Sequence, residues 1–131
     1  CLLNLRTEEG LVGRVVQDVV TNPPRKWARA QGADGFVEWW CGYKPGEDAV
    51  LTGGSEGAGE EQTIRKTRPD DFIQELKHIE SALEGNPSAS PISLERGLDT
   101  MLVIAAAHKS VAEKRSVTID YSKGYRDAAL I

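Results

Sequence analysis

Three consecutive residues, Arg25, Lys26 and Trp27, carry the clearest chemical signal in the sequence. Two cations beside an aromatic ring, with Arg29 close behind them, suit an anionic ligand or the carboxylates of a protein partner. The same residues also fit an ordinary solvated strand edge that binds nothing. We therefore treat Arg25, Lys26 and Trp27 as the candidate binding residues and keep both interpretations open.

Two other groups of residues lack the spacing that their chemistry needs. The segment Gly53–Gly59 has neither the G-x-G-x-x-G nor the G-K-[ST] order of phosphate loops, and Glu60 and Glu61 behind it would repel phosphate. A flexible hairpin loop is the better interpretation. His78 and His108 each lie within a predicted helix without a second ligand four residues away, so we expect ordinary helix residues rather than metal ligands.

The remaining acids and thiols have plain structural explanations. Asp70 and Asp71 form a pair of carboxylates, but they stand where a helix is predicted to begin, and capping accounts for them. Cys1 and Cys41 do not make a metal-ligand cluster, and although they could pair in principle, nothing in the sequence favours a disulfide. Residue types and spacing alone predict no catalytic residue and no metal site.

Length and composition limit the class of protein. The chain has 131 residues and a formal net charge of -4, which suits one domain over residues 1–131 and argues against general nucleic-acid binding. It contains no apolar run of about 20 residues, so no membrane span is expected, and no secretory signal is visible. We expect a cytoplasmic protein with reduced thiols. The start at Cys1 suggests a piece of a longer chain or a processed product.

The first half of the sequence predicts strands. Valine-rich and alternating segments favour a pleated structure, Asn22 with two prolines ends one of them, and the glycines around Asp34 supply a hairpin turn. The predicted strands are Cys1–Arg6, Leu11–Thr21, Lys26–Gln31, Gly35–Cys41, Ala49–Thr52 and Gln62–Thr67.

The second half changes to a period of about 3.6 residues. One apolar stripe predicts a helix from Asp70 to Gly85, and a second predicts a helix from an N-cap at Ser93 to about Glu113. Ser116–Tyr121 then returns as a strand, and the tail has no clear period. This order predicts an α+β fold, with an open, mostly antiparallel sheet and two main helices packed on one face.

The predicted strands carry large apolar groups on both sides. In the hairpin, Phe36 and Trp40 alternate with Val37 and Trp39, whereas a half-solvated sheet has one polar side. Two helices on one face leave the other face uncovered, and its aromatic and charged composition is typical of an interface core. We therefore expect a second copy of the chain on that face; the alternative is a monomer with some exposed tryptophan.

Several segments taken in order resemble one enzyme family. They are a strand and hairpin, a helix of the form D-F-I-Q-E-L-K-H-I-E-S-A-L-E-G, and a helix containing G-L-D-T-M-L-V-I-A-A-A-H-K-S with its closing strand. Over roughly Leu11 to Tyr121, the chain resembles the C-terminal domain of the Gfo/Idh/MocA oxidoreductases, the glucose–fructose oxidoreductase and inositol dehydrogenase family. The matching ranges are Gly13–Pro24, Arg29–Trp39, Asp71–Gly85, Ser93–Ser110 and Ser116–Asp120.

The resemblance implies a trailing part of an NAD(P)-dependent enzyme that acts on a small molecule, a sugar, polyol or related hydroxyl or carbonyl compound. An N-terminal Rossmann domain, missing here, would bind NAD or NADP, and the open sheet would form a homodimer or tetramer. Residues Asn22–Trp27, including Arg25 and Lys26, would then approach the substrate cleft.

The family's dinucleotide fingerprint, its Glu-Lys-Pro lysine and its downstream histidine are absent from this chain. His78 and His108 do not occupy that histidine's place, so no catalytic or cofactor-binding residue is carried over. We expect the fragment alone to be inactive and not to bind nicotinamide cofactor. The alternative is a free-standing, non-catalytic α+β oligomerisation or ligand-binding module.

Overall fold

The computed structural model describes residues 1–55, 57, 59–85 and 90–131. The α+β class is confirmed, with antiparallel strands and two α-helices, but the strands lie in two sheets where the sequence predicted one. Residues 17–79 form one compact unit, and residues 1–16 with 80–131 form another. The elements are β1 (Leu2–Arg6), β2 (Val12–Val16), β3 (Lys26–Gln31), β4 (Gly35–Lys44), β5 (Glu47–Gly54), β6 (Glu61–Arg65), α1 (Arg68–Glu84) and α2 (Leu94–Glu113).

The unit of residues 17–79 contains a four-stranded antiparallel sheet in the order β3-β4-β5-β6. The tight β3–β4 turn is closed by a hydrogen bond of 2.8 Å from the Gly32 N–H to the Gly35 carbonyl. β4 runs three residues beyond its predicted end at Cys41, because the register shifts between Trp40 and Lys44 and the strand continues past a bulge. Parts of the predicted glycine loop, residues 56 and 58, lie outside the described residues.

β2 ends at Val16 instead of continuing to Thr21 as predicted. The Asp18 carboxylate accepts hydrogen bonds from the backbone N–H groups of Val20 (2.9 Å) and Thr21 (2.7 Å) and from the Thr21 hydroxyl (2.8 Å). These bonds, led by the Thr21 N–H, also lower the pKa of Asp18. A side chain that occupies neighbouring backbone donors competes with ladder pairing, and this ends the valine-rich strand.

α1 begins with an aspartate side chain that accepts hydrogen bonds from the residue before the helix. Both the backbone N–H and the hydroxyl of Thr67 donate to the Asp70 carboxylate, at 2.6 and 3.0 Å, and the N–H bond is the main cause of the lowered pKa of Asp70. The predicted apolar stripe is present on this helix but stays exposed in the single chain, with Phe72 at 59%, Leu76 at 65% and Leu83 at 83% of full exposure. The predicted linker continues into residues 86–89, which lie outside the described residues.

In the other unit, α2 is capped as predicted. The Ser93 side chain accepts the Arg96 N–H at the start of α2, and Lys114 closes its end in the left-handed conformation (φ 54°). Leu102 and Ala106 on α2 are buried against the tail of the chain. The cluster comprises Leu102, Ala106, Ala129 and Leu130, with Val117 and Ile119 packed against it.

The tail carries more structure than its sequence pattern indicates. The predicted strand Ser116–Tyr121 is reduced to one bridge between Ile119 and Leu130. Thr118 and Ile131 exchange two backbone hydrogen bonds of 2.9 Å, and the Lys109 ammonium donates to the Leu130 carbonyl at 2.7 Å. The apolar residues of this segment have no regular spacing, so hydrophobic periodicity could not reveal that its two ends pair with each other.

Replacing Gly97 with alanine should stabilise the protein by about 0.5–1 kcal/mol, because alanine loses less conformational entropy than glycine in a helix. Gly97 lies inside α2, and a Cβ atom there would meet no neighbouring atom within 4 Å. Urea denaturation of the two proteins measures the difference in the free energy of unfolding. An unchanged or lower free energy of unfolding for Gly97→Ala would contradict the prediction that a methyl group fits at this position.

Candidate functional site

The strand register decides which side chains share a face of the four-stranded sheet. Trp27 lies opposite Trp40 and Arg29 opposite Glu38, and directly opposed residues of antiparallel strands point to the same side. We call this side the aromatic face; it carries Trp27, Arg29, Gln31, Phe36, Glu38, Trp40, Glu47, Ala49, Leu51, Glu61, Thr63 and Arg65. The opposite face carries Lys26, Ala28, Ala30, Val37, Trp39, Cys41, Asp48, Val50, Gln62 and Ile64.

The aromatic face holds a row of rings. The Trp27 and Trp40 rings are stacked, with centroids 5.5 Å apart and planes 16° from parallel, and Tyr43 lies tilted against Trp40 at 6.3 Å. The Trp40 indole N–H donates to the Glu38 carboxylate at 2.6 Å, which fixes the ring. Trp27 is half exposed at 51%, since it stands on the terminal strand of the sheet and Trp40 covers one side of it.

Arg29 is held in place on the same face. Its guanidinium lies 3.8 Å from the centroid of the Phe36 ring and donates to Gln31 at 2.7 Å and to Glu38 at 3.4 Å. A guanidinium over a ring and beside a carboxylate is attracted by both. Most of the hydrogen-bond donors of Arg29 are therefore used within the sheet.

The three candidate binding residues are not brought together. Lys26 points to the opposite face, where Cys41 stands directly across from it, whereas Trp27 belongs to the aromatic face. Arg25 precedes β3, is exposed, and its guanidinium makes no ion pair or hydrogen bond with the described residues. Because Arg25 lies outside β3, strand alternation assigns a face of the sheet to Lys26 and Trp27 but not to Arg25.

A polar junction that the sequence did not indicate lies on the opposite face. The Lys66 ammonium contacts the carboxylates of Asp48 at 2.7 Å and Asp71 at 2.8 Å. Asp48 also accepts the Gly42 N–H at 2.7 Å within the β4 bulge. The bond to Asp48 is the main reason that the pKa of Lys66 is raised. The junction links the bulge, the end of β6 and the first turn of α1. It could not be predicted from the sequence, because it depends on the register of the strands.

Acid should weaken this junction. The hydrogen bond from Lys66, then that from the Gly42 N–H, lowers the pKa of Asp48, with a small contribution from the Lys26 charge. A lowered pKa in the folded state adds stability above the unfolded pKa of about 3.9, and this stability is lost as the pH falls through the folded pKa.

The variant Asp48→Asn keeps an acceptor for Gly42 but has no charge for Lys66, so we expect it to be less stable than wild type at pH 7. Melting temperatures measured between pH 7 and pH 2 should fall less steeply below about pH 4 in the variant than in wild type. Equal slopes in the two proteins would show that the junction adds nothing to the stability of the fold.

The other candidate groups stay apart. Cys1 and Cys41 are exposed and are not joined by a disulfide. Among residues 1–55, 57, 59–85 and 90–131, no cluster of three or more His, Cys, Asp or Glu side chains is suited to a metal ion. In the same part of the chain, neither helix has the length and apolar character that crossing a membrane requires.

Comparison with known proteins finds no relative of this chain. No protein-family profile, curated protein or solved structure matches the chain. The resemblance to the Gfo/Idh/MocA oxidoreductases therefore rests on the sequence segments quoted above, and functional inference rests on those segments and on the sheet.

Proposed function

We propose that this chain is the C-terminal domain of an NAD(P)-dependent oxidoreductase that acts on a sugar, polyol or related hydroxyl or carbonyl compound. In that enzyme it contributes to the substrate cleft and to the subunit interface. The observation that carries the proposal is an antiparallel sheet with large side chains on both sides, Trp27 and Trp40 on one and Trp39 on the other. The segments that resemble the family supply the reaction class.

Apolar side chains that the single chain leaves exposed support an assembled state. The exposed apolar residues include Trp39, Ile64 and Phe72, at 42%, 44% and 59%. Much of this surface would be covered in a larger assembly.

The aromatic face is the side that suits a second copy. Aromatic residues and arginine are enriched in interface cores, and Arg29 here is already paired with Glu38, as Arg65 is with Glu47 at 3.2 Å. Charges that are neutralised within one chain reduce repulsion between two identical surfaces. The opposite face, with Val37, Trp39 and Val50, has the composition that amphipathic helices cover. We therefore propose a homodimer or tetramer through the aromatic face.

The chemistry of hydride transfer lies outside this chain in the proposal. A Rossmann domain elsewhere in the whole protein would bind NAD or NADP, and no residue of this chain is assigned to the cofactor or to catalysis. This chain would supply Trp27 and Arg25 at the rim of the substrate cleft. A cytoplasmic location is part of the same proposal.

The test uses a whole protein that contains this sequence. We expect reduction of NAD⁺ or NADP⁺, followed by absorbance, in the presence of at least one member of a panel of sugars, polyols and sugar acids. The encoded segment before Cys1 should contain G-x-G-x-x-G after a strand, and Glu-Lys-Pro further on. A whole protein without these motifs and without nicotinamide-dependent turnover would overturn the proposal in favour of a non-catalytic oligomerisation or ligand-binding module.

A further inference from the structure

We propose that the open edge of β6 pairs with the same edge of a second copy of this chain. The two β6 strands run antiparallel about a two-fold axis at Thr63, and the two four-stranded sheets become one sheet of eight strands. β6 is a terminal strand of its sheet, and all five of its residues are exposed. The pairing uses the backbone at the end of the sheet and leaves both faces open, so it is a second interface beside the one proposed for the aromatic face.

The hydrogen bonds between β5 and β6 decide which backbone groups point to the open edge. At one end of this ladder the Thr52 N–H donates to the Glu60 carbonyl at 2.9 Å. At the other end the Lys66 N–H donates to the Gly46 carbonyl, also at 2.9 Å. In an antiparallel ladder every second residue bonds to the neighbouring strand, and the residues between them direct their N–H and C=O groups the other way. The residues of β6 whose backbone groups point to the open edge are therefore Glu61, Thr63 and Arg65.

An antiparallel pair centred on Thr63 uses all of these backbone groups. Each Thr63 N–H donates to the Thr63 carbonyl of the other copy, and Glu61 exchanges its bonds with Arg65 of the other copy. Directly opposed residues point their side chains to the same face of a sheet. The register that satisfies the backbone therefore also places the Glu61 carboxylate beside the Arg65 guanidinium of the second copy, and the two-fold axis makes this pair of opposite charges twice.

Both charged side chains have room for a second partner. The Arg65 side chain is 88% exposed, although it also contacts the Glu47 carboxylate at 3.2 Å. Glu61 is exposed and accepts a hydrogen bond from the Tyr43 hydroxyl at 3.3 Å. A guanidinium has five N–H donors and a carboxylate about four acceptor positions, so one contact within the chain does not saturate either group.

The other end of the sheet lacks this self-complementary pattern. β3 carries the cations Lys26 and Arg29 and contains no acid, so two copies of it cannot form pairs of opposite charge. Pairing through β6 alone closes after two copies, because a two-fold contact uses the same surface on both. Together with the proposed contact through the aromatic face, this edge pairing makes a tetramer.

A proline at position 63 tests the backbone part of the proposal. Thr63→Pro removes an N–H that points to the open edge and no N–H that bonds to β5, and terminal strands tolerate proline at such positions. Thr63→Ala is the matched control, because it also removes the hydroxyl from the aromatic face but keeps the N–H. A charge at position 63 would act on both interfaces and is therefore not used here. Sedimentation velocity over a dilution series measures the mass of each protein, and circular dichroism measures its melting.

We expect wild type and Thr63→Ala to form tetramers and Thr63→Pro to form a dimer through the aromatic face. If the aromatic face makes no interface, the same proteins should be dimers and a monomer, so the two interfaces fail independently. Equal masses for Thr63→Pro and Thr63→Ala would overturn the edge pairing.

Charge reversal gives a second test that does not depend on proline. Glu61→Arg and Arg65→Glu each place like charges opposite one another twice, and each variant alone should pair through this edge about tenfold more weakly than wild type. An equimolar mixture of the two variants brings opposite charges together again and should associate as tightly as wild type, as should the double variant Glu61→Arg/Arg65→Glu. A mixture that associates no better than either variant alone would contradict the register centred on Thr63.

Discussion

Replacing Gly35 with alanine is expected to lower the free energy of unfolding by about 2–3 kcal/mol. Gly35 opens β4 and pairs with Gly54, and an added Cβ atom would collide with the Gly53 carbonyl oxygen and lie 3.2 Å from the Gly54 Cα. Both obstacles are backbone atoms of the neighbouring strand, which cannot rotate away as a side chain would. β5 has to move, and the ladder that supports the aromatic face is strained.

Gly32→Ala is the matched control for this prediction. Gly32 stands at the other end of the same turn, and the nearest atom to its added Cβ is the Gly35 carbonyl oxygen at an ordinary 3.8 Å. We expect a change within about 0.5 kcal/mol. Urea denaturation followed by tryptophan fluorescence compares the two variants with wild type. Similar losses in both would show that the turn, rather than the close approach of β4 and β5, limits stability.

Replacing Thr63 with lysine is expected to weaken self-association roughly a hundredfold, which corresponds to about 3 kcal/mol. Thr63 is exposed in the middle of β6 and lies across from Ala49 on the aromatic face. If a second copy covers this face, two-fold symmetry buries the new ammonium twice in each dimer. Light scattering over a dilution series measures the dimer dissociation constant.

The adjacent residue gives a control with the same edge position and a similar exposure. Gln62 lies across from Val50 on the opposite face, so Gln62→Lys adds the same charge to the other side of β6. We expect the Gln62→Lys dimer to match wild type. Dissociation by Gln62→Lys alone would place the interface on the opposite face, and a monomeric wild-type chain at high micromolar concentration would remove the proposed interface.

Local signals in the sequence were enough for some elements. β3 has its predicted bounds because the turn after Gln31 is marked by two glycines around Asp34. Ser93 caps α2 as predicted, since a serine before a helical stripe satisfies backbone donors within the same turn. The alternation of Phe36 and Trp40 with Val37 and Trp39 also holds in the observed register. In each case the decisive interactions lie within a few residues.

The features that could not be predicted depend on contacts between distant residues. The division of the strands into two sheets and the pairing of Thr118 with Ile131 follow from packing, which composition does not record. Lys66 stood in a segment interpreted as a polar edge strand, and its junction with Asp48 needs the register of β5 on β6. At the candidate site, side chains alternate along β3, so Lys26 and Trp27, which are neighbours in the sequence, lie on opposite faces of the sheet.

The position of β3 at the end of its sheet has a consequence for aggregation. A terminal strand presents unpaired backbone groups, and a second strand aligned along them would start fibril-like growth. In a parallel, in-register pairing, Lys26 and Arg29 on β3, with Arg25 just before it, would meet the same cations of the incoming strand. Like charges that face each other oppose lateral extension of the sheet. The same cations therefore oppose uncontrolled polymerisation at this edge of the sheet and favour contacts through a face of the sheet.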